Sequence, residues 1–227
     1  MRKNTIFIPA RFRSKRFPGK LLKKFEGNTM LEIIAKKVLK INFNPVIVSG
    51  DKEIIAHAKK KNYLNIKSKK KHISGMSRIS EVINKKSPEI VYILFGDELY
   101  LTEKQIYKFI KYVKKNKNNN CWHLLTNIKR EDKEDKNVVK CKLNKKKEII
   151  DFCRPYINNY DFKCVGLFAF KKDVLLNYHK FQSSERELKM KVEQFKLLDN
   201  GISIKSMVIK NILNSINSKK DLKKEKK

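Results

Sequence analysis

Short apolar segments alternate with longer amphipathic segments through the first half of the chain, and no other feature constrains the fold as much. Continuous apolar runs predict strands, at 5–9, 45–49 and 89–95. Apolar residues at helical spacing predict helices, at 29–40, 51–61, 76–86 and 101–115. Strands that are apolar on both faces and are separated by helices are typical of a parallel sheet covered on both sides. The predicted fold class is α/β, with a mixed, mostly parallel sheet and helices on both faces.

The second half of the chain has a different pattern of predicted elements. Strand-like segments follow one another without intervening helices, at 121–127, 137–143, 147–153 and 162–170. One long helix is predicted at about 184–199, with Gly201 as its C-cap. We expect a single domain over 1–227 with a β-rich extension inserted at about 137–200, of the kind that pairs subunits into a homodimer.

Lysine dominates the charge of the chain. The sequence has 55 Lys and Arg residues against 23 Asp and Glu residues, which gives a formal net charge of +32. Such a charge suits the phosphate backbone of a nucleic acid. However, the lysines are spread over nearly every predicted helix, and no nucleic-acid-binding motif accompanies them. A basic nucleic-acid-binding protein therefore stays only as an alternative, and we do not expect nucleic acid as a partner.

The sequence also bounds the cellular location and the use of cysteine. It has no run of about 18 apolar residues, and its start, MRKNTIFIPA, lacks the apolar core of a signal peptide. We expect a cytoplasmic protein that does not bind a membrane. The four cysteines are far apart in apolar surroundings, which favours buried free thiols over a metal site or disulfides.

Arginine is the informative basic residue, because only eight of the 55 basic residues are Arg. Against a lysine background, a retained Arg is favoured where a planar fork of donors must bind phosphate or carboxylate. This criterion selects Arg11, Arg16, Arg78 and Arg154 as the first candidates for binding an anionic ligand.

Candidate site residues follow the predicted parallel strands. In open α/β sheets, ligands bind outside the carboxyl ends of the strands. The loop after the first strand, within IPARFRSKRFPGK, carries Arg11, Arg16 and Lys20 but no glycine pattern of a dinucleotide fold or P-loop. We predict that these cations clasp a polyphosphate. Asp97 and Glu98 follow the third strand and are suited to Mg²⁺, which is usually held by one or two carboxylates plus substrate phosphates.

Several motifs, in order, resemble those of the cytidylyltransferases that activate acidic keto-sugars, the family of 3-deoxy-manno-octulosonate (KDO) cytidylyltransferase. They are IPAR–SKRFPGK near the start, HISGMSR at 72–78, FGDELYL at 95–101, NVVK at 137–140, DFCR at 151–154 and VEQFKLLDNG at 192–201. The resemblance implies a Rossmann-like nucleotidyltransferase fold with a β-rich dimerisation extension. It implies the reaction of CTP with a sugar acid to give CMP-sugar and pyrophosphate, with Mg²⁺ as cofactor, for synthesis of cell-surface polysaccharide or lipopolysaccharide.

The resemblance also implies roles for individual residues. The implied nucleotide-binding residues are Ala10, Arg11, Arg16, Lys20, Ser74, Gly75, Arg78 and Asp97. Three of these would act in catalysis, namely Arg11, Lys20 and Asp97. The implied sugar-binding residues are Arg154, Cys164, Phe168, Glu187, Glu193 and Gln194. The implied metal ligands are Asp97 and Asn217.

Some positions depart from the family pattern. Asn217 stands where the family has its second metal-binding Asp, and an amide brings no charge to a metal ion. Phe95 replaces a Gln, Cys164 replaces a His and Phe168 replaces a Tyr. Three hypotheses stay open: a cytidylyltransferase for KDO or a related sugar acid, a nucleotide-binding homologue with weak or no turnover, and a basic nucleic-acid-binding protein, which the net charge alone suggests.

Overall fold

A sheet of nine strands forms the centre of the molecule, and a separate hairpin has two more strands. The computed structural model of the chain describes residues 4–13, 17–210 and 215. The strands are β1 (Thr5–Pro9), β2 (Lys24–Phe25), β3 (Asn28–Thr29), β4 (Asn44–Ser49), β5 (Leu64–Lys67), β6 (Ile90–Leu94), β7 (Cys121–Asn127), β8 (Lys140–Leu143), β9 (Glu148–Cys153), β10 (Phe162–Lys171) and β11 (Ile204–Ile209).

Helices of very different lengths connect these strands. They are α1 (Met30–Lys40), α2 (Lys52–Lys60), α3 (Gly75–Val82), α4 (Glu103–Lys115), α5 (Arg130–Glu134), α6 (Lys172–Leu176), α7 (Glu185–Met190) and α8 (Phe195–Leu198). Two short 3₁₀ turns cover Lys20–Leu22 and Tyr178–Lys180. Within the described part of the chain, none of the helices has the length and apolar character needed to cross a membrane.

The sheet order is β5-β4-β1-β6-β10-β7-β11-β9-β8. The first four strands are parallel to one another, as the alternation of strands and helices predicts. Beyond them, β10 lies antiparallel between β6 and β7. Four pairings of the large sheet are parallel and five are antiparallel, so the sheet is more evenly mixed than the sequence predicts. The later strands follow each other through short connections, which suit antiparallel pairing.

Strand β10 changes its neighbour along its length. Near its start, Phe162 and Lys163 pair with β8, whereas Leu167 to Lys171 pair with β6. The register against β7 shifts between Cys164 and Phe168, which is the signature of a bulge. The pairing of β10 with β8 also closes the second half of the sheet into a ring of five strands, β10, β7, β11, β9 and β8.

Helices cover both faces of the sheet, as predicted, and they form two separate hydrophobic layers. Ile6 and Ile8 of β1 belong to the layer that contains α1 and α4, while Phe7 belongs to the layer that contains α3 and α6. This division follows from the alternation of side chains along a strand. Because both layers are apolar, β1 is buried on both sides.

The longer helices begin at the polar residues that the sequence indicates. Thr29 caps α1, and Glu32 completes a capping box by accepting from the Thr29 N–H at 2.7 Å. Thr102 caps α4 in the same way, with Gln105 as its partner. These reciprocal bonds satisfy backbone donors that a helix leaves unpaired at its first turn.

The predicted long helix at 184–199 is wrong, because the segment forms the two short helices α7 and α8. The break lies at Lys191, which has a left-handed backbone conformation with φ of 54°. The Arg154 guanidinium donates to the carbonyl oxygens of Met190 at 2.6 Å and Lys191 at 2.9 Å. These bonds satisfy carbonyls at the end of α7 that have no partner within the helix. Gly201, with φ of 75°, follows α8 as the predicted C-terminal glycine.

The prediction of free cysteine thiols is confirmed. Cys121, Cys141 and Cys153 are buried, and Cys164 is half-buried. Burial raises the pKa of the Cys141 thiol, and the neighbouring Cys164 raises it further. The thiols therefore behave as apolar packing groups.

Glu32 gives a test of the packing between α1 and α2. Burial alone would raise the pKa of Glu32, but hydrogen bonds from Lys61 and Thr29 outweigh it and lower the pKa from 4.5 to about 2. A carboxylate with a lowered folded-state pKa stabilises the fold above its unfolded pKa, and this contribution is lost as the pH falls. We expect Glu32→Gln to lower the free energy of unfolding at neutral pH. The gap to wild type should shrink between pH 4.5 and about 2.

Urea denaturation at a series of pH values measures this gap. Lys61→Met removes the other half of the ion pair, so its free energy of unfolding should also approach that of wild type as the pH falls from 4.5 to about 2. A gap for Glu32→Gln that stays constant as the pH falls would contradict the assignment.

Candidate active site

Three loops at the carboxyl ends of parallel strands meet at one edge of the sheet, as the sequence predicts. The loop after β1 is tied to β4 and to the loop that follows it, since Ala10 N donates to Val48 O and Phe12 N donates to Asp51 Oδ2, at 2.9 and 2.8 Å. The loop after β6 is tied to the first loop by an ion pair between Lys20 Nζ and Asp97 Oδ2, at 2.7 Å. The loops therefore form one candidate site.

The ion pair of Lys20 with Asp97 lies at the centre of this site. Its two side chains are 14% and 25% exposed, so both are accessible to a ligand while being largely shielded from bulk water. Gly19 precedes Lys20 with φ of 66°, a left-handed conformation that glycine adopts without strain. Its N–H donates to Phe12 O at 2.8 Å, which closes the loop and aims Lys20 at the end of β6.

Arg78 contributes a second cationic group to the site. It lies on α3 and is only 9% exposed, and its Nη1 donates to Ser68 Oγ at 2.9 Å. Burial lowers its pKa, Asp51 opposes this effect and the positive charge of Arg11 adds to it. Arg11 itself is exposed. Arg11, Asp51 and Arg78 thus form a group of mutually interacting charges at the mouth of the site.

Residues 72–74 lead into α3, which carries Arg78. The Ser74 side chain caps α3 by accepting from Ser77 N at 3.1 Å. His72 lies between two partners, with Nδ1 at 2.8 Å from Ser77 Oγ and Nε2 at 2.6 Å from Glu81 Oε2. The sequence did not predict the contact between His72 and Glu81. The motif at 72–78 contains the histidine, but its partner lies nine positions further along the chain, outside the motif.

Glu98 is a buried carboxylate next to Asp97. It is 5% exposed and accepts hydrogen bonds from Gly166 N at 2.8 Å and Ser215 Oγ at 2.9 Å. Burial and the charge of Asp97 raise its pKa to about 7. Its hydrogen bonds connect Gly166 of β10 and Ser215 to the loop after β6. Glu98 therefore stabilises this loop, whereas Asp97 faces Lys20.

The bulge of β10 supports this arrangement. Phe95 N donates to Gly166 O at 2.8 Å, and His123 Nε2 lies 3.0 Å from Val165 O. Burial lowers the pKa of His123 to about 3, so its imidazole is neutral. The ring contributes by packing and by its hydrogen bond. A Cβ atom at Gly166 would lie 2.9 Å from Phe95 Cβ and 3.0 Å from Glu98 Oε1, so only glycine fits there without displacement.

The predicted sugar-binding residues occupy three different environments. Glu187 is 5% exposed, its pKa is raised by burial, and its Oε2 has no hydrogen-bond partner among the described residues. Glu193 accepts from Met76 N at 2.9 Å, and Gln194 is buried just before α8.

The other three predicted sugar-binding residues are more involved in packing. Phe168 is 2% exposed and stacks on His123 with ring centroids 4.1 Å apart. Cys164 lies at the bulge, half-buried next to Cys141. Arg154 has its guanidinium engaged by three backbone carbonyls, those of Asn137, Met190 and Lys191. In this structure Arg154 shapes the segment between α7 and α8.

Two predicted site residues, Arg16 and Asn217, lie outside the described residues. Within the ranges that the structure describes, no cluster of three or more His, Cys, Asp or Glu side chains forms a metal site. Asp97 nevertheless suits Mg²⁺, because it is a partly exposed carboxylate, and Mg²⁺ needs only one or two protein carboxylates beside substrate phosphates.

Solved structures of other proteins have the same architecture. A structure titled CMP:2-keto-3-deoxy-manno-octonic acid synthetase complexed with CTP superimposes with a TM-score of 0.88 at 24% identity, over 98% of this chain and 96% of that chain. The inositol-1-phosphate CTP transferase from T. maritima superimposes with a TM-score of 0.68 at 16% identity, over 96% and 91% of the two chains. The fold is the α/β fold of the nucleotidyltransferases.

Sequence comparison is more specific than the fold. The pattern of the cytidylyltransferase family matches residues 5–207. A 3-deoxy-manno-octulosonate cytidylyltransferase of Fusobacterium nucleatum is 32% identical over 95% of this chain and 92% of its own length. One from Escherichia coli is 28% identical over 92% and 89%. The chain belongs to the cytidylyltransferase family.

Gly166 gives a test of how the β10 bulge supports the site. Gly166→Ala should lower the free energy of unfolding by about 1–3 kcal/mol, because the added methyl group must push Phe95 or the Glu98 carboxylate aside. Urea denaturation measures the change. Gly50→Ala is the matched control, since the nearest atoms to its new Cβ would be at 3.4 Å. Equal losses in both variants would show that the bulge tolerates a side chain.

Proposed function

We propose that the protein transfers a cytidylyl group from CTP to an acidic keto-sugar, KDO or a related sugar acid, and releases pyrophosphate. The product would be a CMP-sugar for cell-surface polysaccharide or lipopolysaccharide synthesis. The observation that carries the proposal is the pairing of Lys20 with Asp97, where three loops meet, in a chain of this family. The names of its relatives favour CTP and KDO as substrates.

The triphosphate of CTP would lie against the loop after β1. Arg11 and Lys20 supply positive charge there, and Arg16 belongs to the same loop in the sequence. Arg78 adds a guanidinium from α3, and Ala10, Ser74 and Gly75 supply backbone and hydroxyl groups at the rim. Because these cations come from two separate segments, the loop after β1 and α3, they would bind a polyanion together only in the folded site.

Lys20 and Asp97 would exchange partners when CTP binds. Each neutralises the other in the structure. In the complex, Lys20 would pair with a phosphate and Asp97 would hold Mg²⁺. Bound Mg²⁺ supplies charge neutralisation at the phosphates and acidifies the attacking hydroxyl. Lys20 would then stabilise the negative charge that develops on the phosphate oxygens as the sugar hydroxyl attacks the α-phosphorus.

Glu187 is the best-supported sugar-binding residue. A buried carboxylate oxygen without a partner is costly, and a hydroxyl of a bound sugar would satisfy it. Such a site also discriminates, because a substrate that lacks the hydroxyl leaves the oxygen unpaired. Glu193 and Gln194 are close to it in sequence, and Cys164 and Phe168 would form a less polar wall. Arg154 would act indirectly, through the segment that it holds.

The residue type at 217, an Asn, favours one alternative, a homologue that binds CTP with weak or no turnover. If Asn217 is the second metal ligand, the site has one negative charge fewer than a pair of carboxylates would give, and metal binding weakens.

We also propose that the chain works in the cytoplasm as a homodimer, and that the β-rich part at about 137–200 makes the dimer contact. Exposed Ile150, Ile157 and Leu188 lie in this part.

The activity is tested with purified protein, CTP, Mg²⁺ and a panel of sugar acids that includes KDO, by following pyrophosphate release. Lys20→Ala should lower kcat/KM by about 10²- to 10³-fold, because a group that stabilises the developing charge is lost. Lys23→Ala, an exposed lysine three positions further on, is the control and should stay within twofold. Silence of the wild type across the panel, together with no CTP binding in calorimetry, would refute the proposal.

Asn217→Asp separates the enzyme from its alternative. If Asn217 limits metal binding, the variant should reach its half-maximal rate at a lower Mg²⁺ concentration and show a higher kcat, because a carboxylate is the better ligand. A wild type that binds CTP without turnover, rescued by Asn217→Asp, would support the alternative. An unchanged Mg²⁺ dependence would show that residue 217 is not a metal ligand.

A further inference from the structure

The loop after β5, residues 68–74, lies at the carboxyl end of a parallel strand, next to the loop that follows β4. Its first residue, Ser68, donates through its N–H to Ser49 O at 2.9 Å, and its Oγ accepts from Arg78 Nη1, also at 2.9 Å. A Cβ atom at Gly50 would lie 3.4 Å from Arg78 Nη1 and from the Oγ and backbone oxygen of Ser68. The loop after β5 therefore contacts the buried guanidinium of the candidate site.

A single carboxylate on α3, that of Glu81, connects this loop to the helix that carries Arg78. Its Oε1 accepts from the N–H groups of Lys69 and Lys70, at 2.9 and 3.2 Å. Its Oε2 lies 2.6 Å from Nε2 of His72, further along the same loop. Burial alone would raise the pKa of Glu81, but hydrogen bonds from His72, Lys69 and Lys70 outweigh it and lower the pKa. Glu81 is therefore ionised at neutral pH and accepts at both oxygens.

His72 adds a second connection between the loop and α3. An ionised carboxylate can only accept, so Nε2 of His72 carries the hydrogen of its bond to Glu81. The other ring nitrogen, Nδ1, lies 2.8 Å from Ser77 Oγ in the first turn of α3. Only 5% of the His72 side chain is exposed, so these bonds are shielded from water. Glu81 and His72 together bind the loop to the helix.

Apolar packing contributes little to holding this loop in place. Its sequence, SKKKHIS, has three successive lysines at 69–71, which are exposed and repel one another. Its one large apolar side chain, Ile73, is 75% exposed. The polar bonds to Glu81 are therefore what keeps the loop beside α3. If the loop moved away, Arg78 would lose the acceptor Ser68 Oγ.

We propose that Glu81 is a positioning residue for Arg78, which ties the loop after β5 to α3 and so keeps Ser68 in contact with the guanidinium. The loop after β5 is then the fourth loop of the candidate site. Glu81 acts through Arg78, by fixing the direction in which the guanidinium points. This inference rests on the proposed function for the identity of the ligand, CTP.

The first test measures the affinity of the full chain for CTP by calorimetry, in the presence of Mg²⁺. Glu81→Ala should weaken CTP binding about tenfold, because ordering a loosened guanidinium then costs free energy on binding. Glu81→Gln keeps an acceptor oxygen for the loop and should restore most of the affinity. Glu89→Ala is the matched control, since it removes the same charge from an exposed residue at the other end of β6, and it should stay within about twofold of wild type.

A double-mutant cycle shows whether Glu81 acts through Ser68 and Arg78. Ser68→Ala removes the acceptor of Arg78 directly and should cause a similar loss of CTP affinity. Two residues that act through one contact are not additive, so the double variant Ser68→Ala/Glu81→Ala should lose about tenfold in total, not about a hundredfold.

Hydrogen exchange tests the connection without any ligand. The amides of Lys69 and Lys70 donate to Glu81, so they should exchange faster in Glu81→Ala, while those of α4 at 103–115 should match wild type. Should Glu81→Ala fail to fold, Glu81→Asp replaces it in both measurements, because its carboxylate is one methylene further from the loop.

The outcomes separate this inference from the proposed function. If wild type binds no CTP, the proposed function fails, and exchange at Lys69 and Lys70 still decides whether Glu81 holds the loop. Unchanged exchange at these two amides in Glu81→Ala would overturn the inference. Wild-type CTP affinity in Glu81→Ala would overturn it as well. So would losses that multiply in the double variant, since Glu81 would then act independently of Ser68.

Discussion

The bulge of β10 is the constraint on which both the fold and the candidate site depend. There, β10 leaves β8 and joins β6, so this one strand closes the ring of the second half through its first residues and attaches it to the parallel first half through its last residues. Gly166 donates to Glu98 and accepts from Phe95, on the two sides of Gly96–Asp97. A strand from the second half of the chain thus fixes the loop that carries the proposed metal ligand.

Charge in the cleft is organised in pairs, whereas charge elsewhere on the protein is in excess. Lys20 pairs with Asp97, and Arg78 lies near Asp51. Under the proposed function, the Lys20 ammonium would become available to a phosphate when Asp97 takes another partner. The rest of the net charge of +32 is spread over exposed lysines, where screening by salt makes it weak at a distance. Under the proposed function, specific binding would depend on these few groups and not on the total charge.

The sequence predicts much of the first half of the fold and little of the long-range support of the site. β1 and β7 match closely because continuous apolar runs between turn residues are strong signals. β5 and β11 were not predicted, since their residues alternate weakly and their pairing is decided by the neighbouring strands. The meeting of the three loops follows from the rule for parallel strands. The contacts of Glu98 and Glu193 join residues 68 and 117 positions apart, which no local pattern encodes.

Arginine in this chain marks either a ligand-binding site or a structural contact. A planar fork of donors binds phosphate well, but it binds backbone carbonyls equally well. Arg78, which interacts with the charges of Arg11 and Asp51, fits the first use, while Arg154 fits the second because its guanidinium spans three carbonyls. Arg186, which the sequence did not select, bridges Asp151 and Asp199. Retention of arginine in a lysine-rich chain therefore indicates a need for several donors in fixed directions, and only the surrounding acceptors decide whether that need is a ligand or the fold.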